Sequence, residues 1–151
     1  MARRTESFLS DTQARDHQTR AALALDAEGR FLALRVRTRA NVGAYVSSFG
    51  AAIPGPIYSA LLAGLYRTPA VFVEVEGFYS NTVPTDAYRG AGRPEATHLL
   101  ERLVDLYARK IKMDPVEVRR KNLIKKDQFP YTSATGLAYD SGDYHAALDK
   151  A

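Results

Sequence analysis

The residues whose types and spacing are best suited to chemistry lie in the stretch Asn81–Glu95, NTVPTDAYRGAGRPE. At its centre is a short loop of two arginines and three very small residues, Arg89-Gly90-Ala91-Gly92-Arg93. Glycine adopts unusual backbone dihedral angles and lets a ligand approach the backbone closely. Pro94 suits the first turn of a helix, where its missing N–H group has no cost.

A helix that begins near Pro94 would place unpaired N–H groups and a partial positive charge directly behind this loop. Together with the guanidinium groups of Arg89 and Arg93, these donors would bind phosphate or another oxygen-rich anion. We therefore predict an anion site at the loop. The alternative that the residues leave open is an ordinary glycine-rich turn with solvated arginines.

The stretch after the loop has the clearest helical periodicity in the sequence. Apolar residues recur at steps of three and four and form one stripe, made of Ala96, Leu99, Leu100, Leu103, Val104, Tyr107 and Ile111. Burial of a leucine contributes roughly 1.5–3 kcal/mol. The stripe should therefore hold the helix, and with it the loop, in place.

Two strands, Arg20–Asp26 and Phe31–Ala40, are predicted before the loop, joined as an antiparallel hairpin by the turn Ala27–Arg30. Alternation in the second strand predicts a buried face of Leu32, Leu34, Val36, Thr38 and Ala40. The opposite face would carry Phe31, Ala33, Arg35, Arg37 and Arg39. The arginines of this face could bind an anion, but we expect them to face water or a neighbouring subunit.

Further elements are predicted on either side of the loop. A helix should begin at Pro56 and end before Pro69, with one shared face of Ile57, Ala60, Leu61, Gly64 and Leu65. A third strand, with Val71, Val73 and Val75 on one face, leads into the loop. Beyond the main helix, Asp114 should cap a short basic helix and Ser141 should cap the last one.

With 151 residues, 46% of them hydrophobic, the chain is long enough to bury a core. We predict an α+β fold, an antiparallel hairpin or sheet packed against helices, with no boundary within residues 1–151. The net charge of +4 is modest, and no nucleic-acid-binding module accompanies it. We therefore expect no nucleic-acid partner.

Cysteine is absent from the sequence, which excludes disulfides, thiolate zinc sites and iron–sulfur ligation by this chain. His17, His98 and His145 have no metal-ligand spacing, so we predict no metal ligand here. The first residues lack the apolar segment of a secretory leader. The longest apolar run, around residues 58–66, is shorter than the ~20 residues of a membrane span, and we expect a cytoplasmic location.

The loop sequence AYRGAGRPEA, residues 87–96, resembles the cofactor loop of the xanthine dehydrogenase family. Within that family it is most similar to large subunits of the aerobic carbon monoxide dehydrogenase type. Other similar segments occur in the same order, namely TESFLSDTQARDHQ, FLALRVRTRANVGAY, ERLVDLYARK, DPVEVRRKNLI, FPY and YDSGDYHAALDKA. The resemblance covers nearly the whole chain as an interior fragment of a longer polypeptide, in which Met1 would be an internal or artificial start.

The resemblance implies a partial molybdopterin-binding domain in the large subunit of a molybdenum hydroxylase. Such an oxidoreductase oxidises a small carbonyl or heterocyclic substrate with water-derived oxygen. By position, Arg89 would support the molybdenum site, and Gly90, Ala91, Gly92 and Arg93 would contact the cofactor, molybdopterin cytosine dinucleotide. The implied partners are a small subunit with 2Fe–2S clusters and a medium subunit with FAD, assembled as a dimer of heterotrimers.

Two differences from the family pattern bear on the substrate. Members that oxidise carbon monoxide carry a cysteine at the position of Gly90, and xanthine-oxidising members carry a phenylalanine at that of Ala91. We therefore expect neither carbon monoxide nor a purine as substrate. The family's catalytic glutamate lies outside this sequence and is not replaced by Glu95 or Glu101, so the chain alone should be inactive. The remaining hypotheses are a free-standing phosphate- or nucleotide-binding module and an inactive remnant.

Overall fold

A computed structural model describes residues 3–151; Met1, and with it the expectation about the start of the chain, lies outside the described residues. Helix α1, Arg4–Ser10, comes first. The chain then builds a three-stranded sheet in the order β1-β2-β3. Its strands are β1, His17–Leu25, β2, Phe31–Gly43, and β3, Ala70–Tyr79.

The first two strands form the predicted antiparallel hairpin. Its turn is closed by Asp26, whose carboxylate accepts hydrogen bonds from the N–H groups of Glu28 at 3.0 Å and Arg30 at 2.8 Å. Strand β3 pairs with β2 in parallel, so the sheet is mixed. Because parallel neighbours require a crossover connection, residues 44–69 must pass over one face of the sheet.

The inward face of β2 differs from the prediction at the start of the strand. Phe31 is 4% exposed, whereas Leu32 is 48% exposed. A bulge causes the change: Leu25 pairs with Phe31 and Ala24 with Ala33, which leaves Leu32 without a partner. Each inserted residue reverses the alternation. From Leu34 onwards the predicted buried face is observed.

The crossover helix is shorter than predicted, and its buried face is different. A kinked helical stretch, Ile53–Ile57, leads into α2, Tyr58–Leu61. Leu65 is 46% exposed, and the buried side chains of this region are Ile53, Pro54, Tyr58, Leu62, Ala63 and Tyr66. Gly55 has non-helical dihedral angles, and Gly64 has a φ of +55°. The helix is therefore interrupted at both glycines and has no single continuous face. It ends before Pro69, which plays no part in ending it.

The main helix, α3, spans Arg93–Lys110, as predicted from its periodicity. Its buried residues are Ala96, Leu100, Val104 and Ala108, and Leu99, Leu103 and Tyr107 pack partly against the same core. Ile111 lies beyond the helix as its C-cap. The helix packs against β1, α2 and α4, so its first turn is fixed relative to the sheet.

Helix α4, Pro115–Asn122, is capped as predicted by Asp114, which accepts hydrogen bonds from the N–H groups of Val116 and Glu117. The buried Asn122 then accepts a hydrogen bond from the N–H of Phe31 at 2.8 Å and donates one to the carbonyl of Gly29 at 2.9 Å. This amide therefore joins α4 to the β1–β2 hairpin.

After α4 come a 3-10 turn, Lys126–Gln128, and a small hairpin of β4, Tyr131–Thr132, and β5, Ala138–Tyr139. The last element is helix α5, Tyr144–Lys150. The prediction that Ser141 caps the last helix is wrong. Asp143 is the cap, and its carboxylate accepts a hydrogen bond from Ala146 N–H at 3.0 Å. Ser141 lies too far ahead of the first turn to reach those N–H groups.

No helix within residues 3–151 combines the length and the apolar character that crossing a bilayer demands.

Candidate functional site

The loop Arg89–Arg93 has a tightly defined backbone. Ala91 N–H donates to the carbonyl of Tyr88 at 2.9 Å, and Arg93 N–H donates to that of Gly90 at 3.0 Å. Gly90, Ala91 and Gly92 have φ angles of +100°, +41° and +87°. Three successive residues in the left-handed region are unusual, and for Ala91 this conformation is unfavourable.

Packing explains why positions 90 and 92 are glycine, in addition to the predicted approach of a ligand. A Cβ atom on Gly92 would lie 3.2 Å from the carbonyl oxygen of Ile53 and 3.1 Å from the nitrogen of Tyr58. A Cβ atom on Gly90 would lie 2.7 Å from the ring carbons of Pro94. The loop is therefore seated between the crossover and the first turn of α3.

Several hydrogen-bond donors of the loop have no partner within residues 3–151. Arg89 and Arg93 are exposed, and neither guanidinium forms a hydrogen bond or ion pair within residues 3–151. In the same part of the chain, the backbone N–H groups of Arg89, Gly90 and Gly92 also lack a partner. Two guanidinium groups and three backbone N–H groups of the loop are therefore without a partner and could bind an anionic or oxygen-rich ligand.

The N-terminus of α3 offers fewer free N–H groups to an anion than the sequence predicted. Arg93 N–H is used by Gly90, Pro94 has no N–H, and Ala96 N–H donates to the carbonyl of Gly92. Of these first residues only Glu95 retains an N–H with no partner in the described chain, and its own carboxylate offsets the positive end of the helix dipole. The donors for an anion thus come from the loop rather than from the helix.

Glu95 is held by a residue that the sequence analysis did not single out. Arg15 Nε lies 2.7 Å from Glu95 Oε1, and the side chains are 33% and 8% exposed, respectively. The same guanidinium lies over the ring of Tyr88, 5.5 Å from its centroid. Because Arg15 and Glu95 are 80 residues apart, no local pattern connects them.

The chain before the loop is fixed by backbone and carboxylate contacts. Gln13 N–H donates to the carbonyl of Pro84 at 2.9 Å, and Asp86 N–H donates to that of Gln13 at 2.8 Å. The carboxylate of Asp86 accepts hydrogen bonds from the Ser47 hydroxyl and from the N–H groups of Ala87 and Phe49. These bonds, that of Ser47 first, lower the pKa of Asp86 and keep it ionised.

A buried polar cluster lies under the loop. The His17 ring meets that of Tyr58 edge-on with centroids 5.4 Å apart, and the Tyr58 hydroxyl lies 3.3 Å from the hydroxyl of Thr38. Burial lowers the pKa of His17 and raises that of Tyr58, so both groups are neutral near pH 7. Within residues 3–151, no three His, Asp or Glu side chains come together as a metal site.

The arginines of β2 are not part of the loop site. Arg37 pairs with Glu74 at 2.9 Å and Arg39 pairs with Glu76 at 3.1 Å, on the exposed face of the sheet. Arg37 and Arg39 are therefore neutralised by β3, and whether this face meets water or a neighbouring subunit stays a prediction.

The comparisons with known proteins agree with this architecture. Residues 1–123 match the family described as molybdopterin cofactor-binding domain. The carbon monoxide dehydrogenase large chain of Hydrogenophaga pseudoflava is 41% identical over 150 residues, which are 97% of this chain and 19% of that protein. The 6-hydroxypseudooxynicotine dehydrogenase complex subunit gamma of Paenarthrobacter nicotinovorans is 35% identical over 159 residues, 98% of this chain and 20% of that protein.

Among solved structures, quinoline 2-oxidoreductase from Pseudomonas putida 86 superposes with a TM-score of 0.92 and 32% identity, over 99% of this chain and 19% of that one. The chain therefore spans about a fifth of the length of these relatives. Both the predicted α+β class and the resemblance to molybdenum hydroxylase large subunits are confirmed. The chain belongs to the molybdopterin cofactor-binding domain family.

Proposed function

We propose that this chain is part of the large subunit of a molybdenum hydroxylase and that the loop Arg89–Arg93 contacts its molybdenum–pterin cofactor. The observation that carries the proposal is the set of unused donors in the loop: the guanidiniums of Arg89 and Arg93, and the N–H groups of Arg89, Gly90 and Gly92. A single turn that leaves so many donors unpaired is suited to an oxygen-rich group.

The chemistry of the donor set fits that cofactor. Phosphate and oxo groups accept hydrogen bonds from planar guanidinium forks and from backbone N–H groups. The loop Arg89–Arg93 contains no carboxylate that would repel these groups. The neighbouring carboxylate of Glu95 is buried and paired with Arg15. The loop backbone packs against Tyr58 on one side and Pro94 on the other. It would therefore hold the donors in place without reorganisation when the ligand binds.

When bound, the molybdenum–pterin group supplies the two-electron redox chemistry of the oxidation. Arg89 would stabilise negative charge at the reacting centre through its guanidinium. Gly90 and Gly92 would position the cofactor through their unpaired N–H groups and Arg93 through its guanidinium, and Ala91 would border it. The catalytic base lies outside residues 1–151, so this segment contributes binding and charge stabilisation, within a partial cofactor-binding domain.

The finer features implied by the resemblance remain parts of this proposal. They are the cytosine dinucleotide form of the cofactor, a small subunit with 2Fe–2S clusters and a medium subunit with FAD. They also include the arrangement as a dimer of heterotrimers and the cytoplasmic location. Each is a property of the assembled enzyme and is tested there.

We propose a small carbonyl or heterocyclic substrate and not carbon monoxide. Two relatives described above are named for heterocyclic compounds, a hydroxylated pseudooxynicotine and quinoline. The resemblance places the cysteine of carbon monoxide-oxidising members where this chain has Gly90, and the chain contains no cysteine. A thiolate ligand for a second metal therefore cannot come from this segment.

The test is the pterin and molybdenum content of the assembled enzyme that contains this chain. The pterin content of the double variant Arg89→Ala/Arg93→Ala should fall by about tenfold or more. Mutation of residues that support a metal site has an effect of this size. Arg102→Ala, an exposed change farther along α3, is the matched control and should retain it. Equal pterin content in all three proteins would contradict the proposal.

The same variants separate the alternative of a free-standing phosphate- or nucleotide-binding module. Saturable binding of simple nucleotides by the isolated chain, lost in Arg89→Ala and independent of pterin, would favour that alternative. A protein without either ligand would favour an inactive remnant.

A further inference from the structure

Arg15 and Glu95 form an ion pair directly behind the loop. Arg15 Nε and Glu95 Oε1 are 2.7 Å apart, and the Glu95 side chain is more than nine-tenths buried. The second oxygen, Oε2, is buried and has no hydrogen-bond partner within residues 3–151. Arg15 is therefore the sole side-chain partner of a deeply buried carboxylate in the described chain, and a buried charge without a partner is costly.

The segment Gln13–Arg15, here called the brace, contacts the chain on both sides of the loop. Before the loop, Gln13 exchanges backbone hydrogen bonds with Pro84 and Asp86. At its entrance, the Arg15 guanidinium stacks over Tyr88. At its exit, the same side chain holds Glu95. The brace thus spans residues 84–95, and the loop Arg89–Arg93 projects from between its contacts.

The loop cannot fix its own direction. Gly90, Ala91 and Gly92 all have positive φ angles, and such conformations persist only where the surrounding structure determines them. The side chains of Arg89 and Arg93 form no hydrogen bond or ion pair within the described residues. The orientation of the loop must therefore come from its surroundings, namely the contact of Gly92 with the crossover and the residues that anchor the two ends of the loop.

We infer that Arg15 and Glu95 are positioning residues of the cofactor loop. By fixing Tyr88 and the first turn of α3, the pair sets, together with the contact between Gly92 and the crossover, the direction of Arg89 and of the loop N–H groups. A buried ion pair adds little net stability compared with an apolar pair of the same size, but unlike an apolar pair it is directional. The inference rests on the proposed function for what the loop binds, whereas the effect on loop order does not depend on it.

The experiment compares hydrogen exchange in the assembled enzyme for wild type, Arg15→Met and Arg119→Met. Arg119 of α4 pairs at 2.7 Å with Glu101, which lies on α3 like Glu95, and this pair is the matched ion-pair control. In Arg15→Met the amides of Ala91 and Arg93, which are hydrogen-bonded in the loop, should exchange about tenfold faster. The centre of α3 should be unaffected. Arg119→Met should show the reverse pattern.

Pterin retention provides a second readout. Arg15→Met should retain about tenfold less pterin after dialysis, Arg15→Lys should be intermediate because it keeps the charge but loses the planar stacked fork, and Arg119→Met should match wild type. If Arg15→Met does not assemble, Glu95→Gln, which keeps the shape and removes the charge, should accelerate loop exchange several-fold.

Wild-type exchange rates in the loop of the Arg15 or Glu95 variant would overturn the inference. So would an acceleration shared equally by the loop and the centre of α3, because the pair would then be purely structural. A wild-type assembly that holds no pterin would instead contradict the proposed function, and the exchange measurement would still decide the role of Arg15.

Discussion

The backbone of Gly92 lies directly against that of Tyr58. A Cβ atom at Gly92 would be 3.1 Å from the Tyr58 nitrogen and 3.2 Å from its Cα. This contact seats the loop on the crossover between β2 and β3, and the buried Tyr58 ring in turn packs on the sheet through Thr38 and His17. The loop and the crossover can meet this closely only because position 92 has no side chain.

Gly92→Ala should therefore destabilise the loop through two effects, strain and contact. An alanine in the left-handed region costs about 1–2 kcal/mol, and overpacking against backbone adds about 1–3 kcal/mol. Gly136 also has a positive φ, +86°, but nothing within 4 Å of its Cβ position. Gly136→Ala is thus the control for strain alone.

The measurement is the local opening free energy from native-state hydrogen exchange in the assembled protein. A larger loss for Gly92→Ala than for Gly136→Ala is expected. Equal losses would mean that the contact with Tyr58 has no energetic weight.

Protonation of His17 should destabilise the protein at mildly acid pH. Burial lowers its pKa below the ordinary 6.5, although Glu95 and Asp16 oppose the shift. The unfolded chain then binds more protons than the folded one between the two pKa values. Full stability is therefore present above pH 6.5 and is lost progressively as the pH falls from there to the folded pKa of His17.

Thermal melting of the assembled enzyme between pH 5 and 8 (a range of about three units around the imidazole pKa) checks this prediction. His17→Phe keeps an aromatic ring against Tyr58 and should flatten the dependence. His98→Gln, an exposed change on α3, should retain it. A wild-type profile in His17→Phe would show that other groups are responsible.

Arg119 should be an important structural arginine of the C-terminal part. It is 20% exposed and pairs with Glu101 at 2.7 Å and Asp105 at 3.0 Å, and Glu101 also accepts a hydrogen bond from the Tyr66 hydroxyl. Hydrogen bonds to charged groups contribute about 1.5–3 kcal/mol. Arg119→Met should lower the opening free energy of α3 and α4 by about 2 kcal/mol.

Arg120→Met provides the comparison, because Arg120 pairs with the exposed Asp149 on the surface. Solvent and salt screen an exposed pair, so a much smaller loss than for Arg119→Met is expected. If the two variants are equally stable, the Arg119 network contributes no more than a surface pair.

The isolated chain should self-associate. Both β1 and β3 are edge strands of the sheet within residues 3–151, and β3 carries Phe72, which is 51% exposed. Long edges with exposed apolar side chains pair with other copies. Size-exclusion chromatography with light scattering should detect oligomers that Phe72→Lys reduces, whereas a cooperatively melting wild-type monomer would contradict the prediction.

Local patterns predicted several elements of the fold. The hairpin of β1 and β2, the stripe of α3 and the Asp114 cap all depend on neighbouring residues, and each is observed. The unusual backbone of the loop was predicted from its glycines, and Gly90 and Gly92 have positive φ angles, whereas the anion site stays a prediction.

The errors arose where distant contacts or single-residue irregularities decide the structure. The bulge at Leu32 reversed the start of β2, and Gly55 and Gly64 broke the crossover helix. The parallel pairing of β3 and the Arg15–Glu95 pair join segments far apart in the chain, so neither leaves a periodic signal. The packing role of Gly92 was hidden for the same reason, since Tyr58 lies in another element.

The central claim is tested most directly by a structure of the assembled enzyme with its molybdenum–pterin group bound. The account predicts that Arg89, Gly90, Ala91 and Gly92 border that group, with at least one loop N–H or guanidinium at a hydrogen-bond distance of about 3 Å. A structure in which this loop faces bulk solvent and other segments hold the cofactor would contradict it.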